Sequence, residues 1–279
     1  MAVPESDESK GPGGTVMKKR TLRLSSVYQA VILILMYLPI AVVVAYSFNA
    51  SKNTTVWGGL TLDWYKKMAG NRGLLEALKN SLVLAAISSG AAGIIGTLGA
   101  VGMARVSFRS KGTIEYISTL PIMVPEIILG MVFMAFFAML SLPFGMLTLV
   151  LGHTTFCVPY VFMMVKSSLV GIEKSLGEAA RDLGASEPRV FWDITLPLIA
   201  PAVASGMLLA FAMSLDDVVI SIFVTGARTN TLPIRIYTQL KSGVTPEINA
   251  LCSIMLVVTF VLVILSRMIG SRSRLQETR

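Results

Sequence analysis

Charge is scarce in this chain. Of its 279 residues only 14% are Asp, Glu, Lys or Arg, while 54% are hydrophobic, against roughly 25% and about 45–50% in an ordinary soluble domain. Cysteine and histidine are scarcer still. Cys157 and Cys252 both sit inside apolar runs, which excludes a disulfide framework or a thiolate metal cluster, and with His153 the only histidine a histidine-based zinc site is excluded too. The chain contains no Gly-Lys dipeptide, hence no phosphate-binding loop of the Gly-x-x-x-x-Gly-Lys-Ser/Thr kind. An intramembrane enzyme would need a nucleophile with its base, or a metal, and neither set is present. The expectation is a non-catalytic chain with no metal and no cofactor of its own.

What is abundant is uninterrupted apolar sequence. No Asp, Glu, Lys or Arg occurs over 24–51, 80–104, 127–165, 194–215 or 248–266, and a bilayer-spanning helix needs about 20 mostly apolar residues. These runs predict an all-α polytopic membrane protein with six spans near 27–47, 80–104, 113–140, 146–166, 194–213 and 248–266. The long run 127–165 divides at Ser141-Leu142-Pro143-Phe144-Gly145, a tight-turn sequence.

An even number of spans puts both termini on one side. With the amino terminus inside, 16 of the 24 basic residues fall on the inner side, among them Lys18, Lys19, Arg20, Arg23, Arg105, Arg109, Lys111 and Lys166. The bias supports both termini being cytoplasmic, so the net charge of +8 reports topology and not nucleic-acid binding. Residues 1–23 read as a disordered cytoplasmic tail, 24–270 as the transmembrane domain and 271–279 as a second cytoplasmic tail. A cleaved secretory signal is set aside, because the first apolar run is span-length and more spans follow it. The second span is rich in small residues (Ala85, Ala86, Ser88, Ser89, Gly90, Ala91, Ala92, Gly93, Gly96 and Gly99), and its Gly-Ala-Ala-Gly and Gly-Thr-Leu-Gly runs place small side chains about one turn apart. Such a face lets helices approach closely, within the subunit or against a partner.

The most informative segment is the inner loop 167–193 between the fourth and fifth spans. Glu178-Ala179-Ala180-Arg181-Asp182-Leu183-Gly184 predicts a short surface helix with Glu178 and Asp182 on one acidic edge and Gly184 ending it in a left-handed conformation. Ser186-Glu187-Pro188 then turns the chain into a second short helix, and Pro197 starts the fifth span.

The pattern Glu-Ala-Ala, three residues, Gly, nine residues, Ile, one residue, Leu-Pro runs from Glu178 to Pro197 and resembles the coupling motif of permease subunits of ATP-binding-cassette importers. Every fixed position is met. Tyr46-Ser47-Phe48-Asn49, Trp57, Trp64-Tyr65, His153-Thr154-Thr155-Phe156-Cys157, Ser214-Leu215-Asp216-Asp217 and Thr245-Pro246-Glu247-Ile248-Asn249-Ala250 extend the likeness to the second permease subunit of bacterial putrescine and spermidine systems. The resemblance implies the six-helix fold of type I importer permeases with a cytoplasmic coupling helix, in the bacterial inner membrane. It also implies ATPase coupling through Glu178, Ala179, Ala180, Arg181, Asp182 and Gly184. The implied partners are a homologous permease, two ATPase subunits that hold ATP and Mg, and an extracytoplasmic polyamine-binding protein.

A polyamine route should offer spaced carboxylates between apolar or aromatic walls. A charge at mid-membrane costs about 2.5–3.5 kcal/mol on insertion scales, so the acids within the spans need a reason. They are Glu126, Asp216 and Asp217. Each has two readings. Ser214-x-x-Asp217 has capping-box spacing, so the stretch 194–225 is read either as a helix that breaks at Ser214 and restarts with Asp217 at its amino end, or as a pathway segment. Adjacent residues on a regular helix point about 100° apart, so Asp216 and Asp217 do not share one face. Glu126 follows Pro125 in the first turn of a restarted helical half, where it serves either the helix end or a cation site.

His153 reads as a packed hydrogen-bonding residue. Trp57, Trp64 and Tyr65 read as interfacial anchors or as contacts for a soluble partner. Two alternatives stand beside the importer reading: a self-contained secondary carrier or channel using the three acids, and an importer permease for a different small solute. The carrier predicts an inverted internal repeat, and no convincing repeat is present.

Overall fold

The computed structural model describes residues 16–53, 56–106, 109–172, 174–227, 229–242, 245–257 and 260. Among these the chain is helical, with a single isolated bridge, Asn49 to Leu60. The chain divides into two units, Met1–Met68 with Val244–Arg279, and Ala69–Gly243.

In the first unit, α1 (Val16–Tyr46) already contains residues 16–23 of the expected tail; residues 1–15 and 271–279 lie outside the described residues. Its apolar segment Ser25–Tyr46 is long and apolar enough to cross a membrane. The loop that follows is organised by Asn49. Its side-chain carbonyl accepts from Ser51 N at 3.2 Å and Gly58 N at 2.7 Å, its amide donates to Val56 O at 2.8 Å, and its own backbone carbonyl accepts from Trp64 Nε1 at 2.7 Å. Ser47 and Tyr65 share a hydroxyl hydrogen bond of 2.7 Å. Trp64 in α2 (Asp63–Gly70) is thus a structural residue of the loop, while Trp57 stays 51% exposed. The expected sixth span 248–266 is described as a helix over Pro246–Val257, our α12; most of its remainder lies outside the described residues.

The second unit is built on α3 (Arg72–Arg105), α6 (Met146–Val170) and α9 (Leu196–Asp216), each packed against the other two. Lipid tails are as apolar as leucine, so close van der Waals packing and interhelical hydrogen bonds must hold such a trio together. The small residues of α3 meet that need within the subunit: Ala85, Ser88, Ser89, Ala92, Gly93 and Gly96 are buried. A Cβ at Gly96 would lie 2.9 Å from Val161 Cβ and 3.0 Å from Phe162 N, so α3 and α6 pack there at backbone distance. Leu84, Phe156, Val161, Phe162, Val165, Ile199 and Ala210 form the core around this seam.

Two of the expected spans are not simple rods. Span 113–140 is α4 (Lys111–Met123) and α5 (Glu126–Met139), bent by 107°. Pro125 disfavours helical geometry at the residue before it, and Val124 is extended (φ −81°, ψ 130°). Span 194–213 starts earlier than expected. Helix runs without interruption from Glu187 to Asp216, through α8 (Glu187–Val190) and a π-helical turn (Phe191–Thr195) into α9. Pro197 therefore sits within this rod instead of opening it. Among the described residues four helices are long and apolar enough to cross a membrane, or five if the bent pair is one span, and α12 is a shorter apolar helix.

The turn expected after α5 is present. Ser141 takes a positive φ of 53°, with Leu142 N donating to Phe137 O at 3.0 Å and Ser141 N to Ala138 O at 2.9 Å, the paired bonds that close a helix end. Beyond α9 the chain breaks at Asp217, restarts as α10 (Val219–Val224) against α5, and continues to α11 (Leu232–Ser242). Leu232 N and Asn80 Nδ2 anchor the start of α11 to α3, donating to Ser81 Oγ at 2.8 Å and Asn230 O at 3.0 Å respectively.

Candidate functional site

Two polar regions interrupt the apolar second unit, one at each end of α9. The first surrounds α7 (Lys174–Asp182). This helix ends as its sequence predicts: Gly184 has φ +86°, Ala185 N donates to Ala180 O at 3.0 Å and Gly184 N to Arg181 O at 2.8 Å. Those two bonds form a Schellman cap, which needs a left-handed residue where glycine carries no Cβ penalty. The cap turns the chain so that Leu183 protrudes, 90% exposed, with Trp192 exposed in the π turn. Glu178, Ala179, Asp182 and Gly184 are exposed as well, and Ala180 partly so.

Behind this surface lies a cavity of about 830 Å³ whose lining includes Arg105, Glu178, Arg181, Glu187 and Thr195. Glu187 joins its walls. One carboxylate oxygen pairs with Arg105 Nη1 at 2.7 Å and the other with Arg181 Nε at 2.7 Å, while Arg105 Nη2 donates to Thr195 Oγ1 at 3.1 Å. Arg105 ends α3, Arg181 belongs to the short loop helix and Glu187 opens the α9 rod. Neither Glu187 nor Arg105 is marked by the coupling-motif spacing; only the tertiary fold brings them to Arg181.

The second region lies where the two helix breaks meet. A cavity of about 470 Å³ is lined by Glu126, Asp216 and Asp217, with Phe156, Ala212, Met213, Val218 and Val219 as its apolar walls. All three acids singled out by sequence therefore reach one space, but they are not equivalent. Asp217 caps α10, its Oδ1 accepting from Ile220 N at 3.1 Å and its Oδ2 from Ser221 N at 2.9 Å. The break consequently falls at Asp217, and the expected break at Ser214 is corrected: Ser214 stays helical in α9 and turns its hydroxyl to His153. Asp217 is the C-cap of α9 and Val218 the N-cap of α10, and the Asp217 carboxylate satisfies backbone donors that the first turn of α10 leaves free.

His153 is fully buried and meets both sides of that break. Its Nδ1 lies 2.8 Å from Ser214 Oγ, its Nε2 2.9 Å from Ser221 Oγ and 3.3 Å from Asp217 Oδ2. Sequence spacing gives no sign of this cluster, because the two serines lie 61 and 68 residues from His153. Glu126 and Asp216 differ from Asp217: both are exposed to the cavity side of the fold, and their carboxylates form no hydrogen bond or ion pair with another described residue.

Comparison with known proteins agrees with this architecture. Residues 92–274 match the family described as binding-protein-dependent transport system inner membrane component. The chain is 39% identical over 250 residues to the spermidine/putrescine transport system permease protein PotC of Haemophilus influenzae, covering 90% of this chain and 97% of that protein. It is 41% identical over 235 residues to PotC of Escherichia coli K12 (84% and 89% covered) and 41% identical over 242 residues to that strain's putrescine transport system permease protein PotI (83% and 86% covered). Among solved structures, a chain of a bacterial ABC transporter that imports the acidic polysaccharide alginate superposes with a TM-score of 0.72 at 14% identity, over 94% of this chain and 99% of that one. A chain of the inward-facing MetNI methionine ABC transporter gives 0.51 at 19% identity, over 76% and 97%. These likenesses extend the shared fold beyond the residues of the motif. The chain belongs to the family of inner membrane components of binding-protein-dependent transport systems.

Proposed function

We propose that this chain is one permease subunit of an ATP-driven polyamine importer, taking putrescine or spermidine across the bacterial inner membrane with both of its termini in the cytoplasm. The observation that carries the substrate is the pair of unpartnered carboxylates, Glu126 and Asp216, at one cavity with Phe156, Met213 and Val219 in its walls. An ionised carboxylate at membrane depth is costly without a counter-ion. A mobile cation with an ammonium at each end of a methylene chain supplies that counter-charge and suits apolar walls between acids. Asp217, committed to the α10 cap, fixes the shape of the cavity.

Transport is driven from the other end of α9. Glu178, Ala179, Ala180, Arg181, Asp182 and Gly184 form the surface that docks on an ATPase subunit, with the protruding Leu183 as an apolar contact beside them. ATP and Mg are held by that partner, and hydrolysis belongs to it. Displacement of the docked helix passes through Arg181 and Glu187 into two elements at once, α3 by way of Arg105 and the uninterrupted Glu187–Asp216 helix. At 1.5 Å per residue that helix is about 45 Å long, enough to link the docking loop to the acidic cavity as one rigid element. The remaining partners are a homologous permease, a second ATPase subunit and an extracytoplasmic polyamine-binding protein. Family membership disfavours a self-contained carrier, since such components work with a binding protein.

The test is uptake of labelled putrescine and spermidine into proteoliposomes holding the complete assembly. ATP-dependent accumulation of either supports the proposal. An assembly that hydrolyses ATP and takes up neither overturns the substrate and leaves an importer for another solute.

A further inference from the structure

We infer that His153 is a positioning residue for polyamine transport: it clamps the α9–α10 break so that the Asp216 carboxylate is presented to the acidic cavity. This inference rests on the function proposed above. No proline forces the break at Asp217, unlike the one at Pro125. Its backbone is extended (φ −66°, ψ 124°), and polar side-chain contacts hold it there. Three of these converge on one imidazole, from Ser214 on α9, from Ser221 on α10 and from the capping carboxylate between them. An ionised carboxylate only accepts, so a neutral imidazole carrying its proton on Nε2 donates toward Asp217 Oδ2 while Nδ1 accepts the Ser214 hydroxyl proton, with Ser221 Oγ within hydrogen-bond distance of the same Nε2.

The position of His153 suits a clamp and not direct substrate contact. The imidazole is wholly buried in α6 and is not among the residues lining the cavity. Its ring packs edge-on to Phe156, with centroids 5.4 Å apart, and Phe156 itself forms part of the cavity wall. Asp216, next in sequence to the clamped cap, has no described partner of its own. Its direction is therefore set by the backbone at the break, and the break is set by the imidazole.

A double-mutant cycle tests this, with the half-saturation concentration for polyamine uptake as readout in the reconstituted assembly. His153→Leu removes the clamp and Asp216→Asn removes the charge it presents. Each alone is expected to raise half-saturation about tenfold, the scale of one charge-assisted contact. The double variant is expected to match Asp216→Asn alone, and His153→Gln, which keeps an N–H donor on the imidazole side, is expected to restore most of the loss. If the two losses multiply, His153 is only a structural residue and the inference fails while the cavity reading stands. Should Asp216→Asn leave half-saturation unchanged, the cavity reading fails and this inference with it. If His153→Leu does not assemble, Ser214→Ala and Ser221→Ala each remove one contact and enter the same cycle, with multiplicative losses again overturning the inference.

Discussion

The two ends of α9 treat charge in opposite ways. At the Glu187 end the arginines that line the large cavity are matched: one glutamate holds Arg105 with one oxygen and Arg181 with the other. At the Asp216 end two carboxylates share a cavity with no cation from the described chain. Matched charge ties three elements together, and because ion pairs this exposed add only about 0–1 kcal/mol of stability, the proposed function reads them as a mechanical joint. Under the proposed function, the unmatched charge at this end receives the transported cation. The proposed function thus assigns force reception to one end of this helix and substrate passage to the other.

Several substitutions set these two ends against each other. The largest effect is expected from Gly184→Val. A β-branched residue at φ +86° costs about 1–2 kcal/mol or more, and it would misdirect Leu183 and the docking surface. Uptake should fall at least tenfold while membrane insertion is preserved, measured as labelled-polyamine accumulation against the amount of chain in the membrane; unchanged uptake would remove this loop from coupling. Next comes Asp216→Asn, expected to raise half-saturation about tenfold with the ATPase still docked, as judged by copurification of the ATPase subunit.

Asp217→Asn should act differently from its neighbour. It leaves one accepting oxygen where two now serve Ile220 N and Ser221 N and removes the charge facing His153, a loss of about 1–3 kcal/mol, so the assembled complex should become less heat-stable in detergent, which Asp216→Asn should not cause. Equal losses of heat stability for the two would erase the distinction between a capping and a cation-binding aspartate. The smallest effect is expected from Glu187→Gln. It leaves Arg105 and Arg181 facing a neutral amide and should lower maximal uptake about two- to threefold with half-saturation unchanged; a raised half-saturation would place Glu187 at the substrate end of the mechanism instead.

Local features are legible where one residue decides them. Pro125 breaks the third span and leaves Glu126 in the first turn of α5, Gly184 closes the loop helix left-handed, and the small residues of α3 mark its packing seam. Each depends on backbone sterics within a few residues. Features requiring distant partners are not legible. Nothing in Ser214-Leu215-Asp216-Asp217 says that a histidine 61 residues away will take the serine and move the break to Asp217. Nothing near Glu187 announces Arg105, which lies 82 residues earlier. The start of the fifth span is hidden for a related reason: a proline in the first turn of a helix and a proline tolerated after a π-helical turn look alike in sequence. Charge-free runs locate the spans, because lipid imposes that constraint residue by residue, yet Pro125 marks only the place of the break and not the 107° angle between α4 and α5.

The central claim is that Glu126 and Asp216 together receive the transported cation. Its most direct test is ATP-dependent uptake of labelled putrescine and spermidine by the reconstituted assembly carrying Glu126→Gln with Asp216→Asn. Uptake of both is expected to fall to the level seen without ATP while ATP hydrolysis and ATPase docking persist. Uptake with an unaltered half-saturation concentration would contradict the claim and return both acids to a structural role.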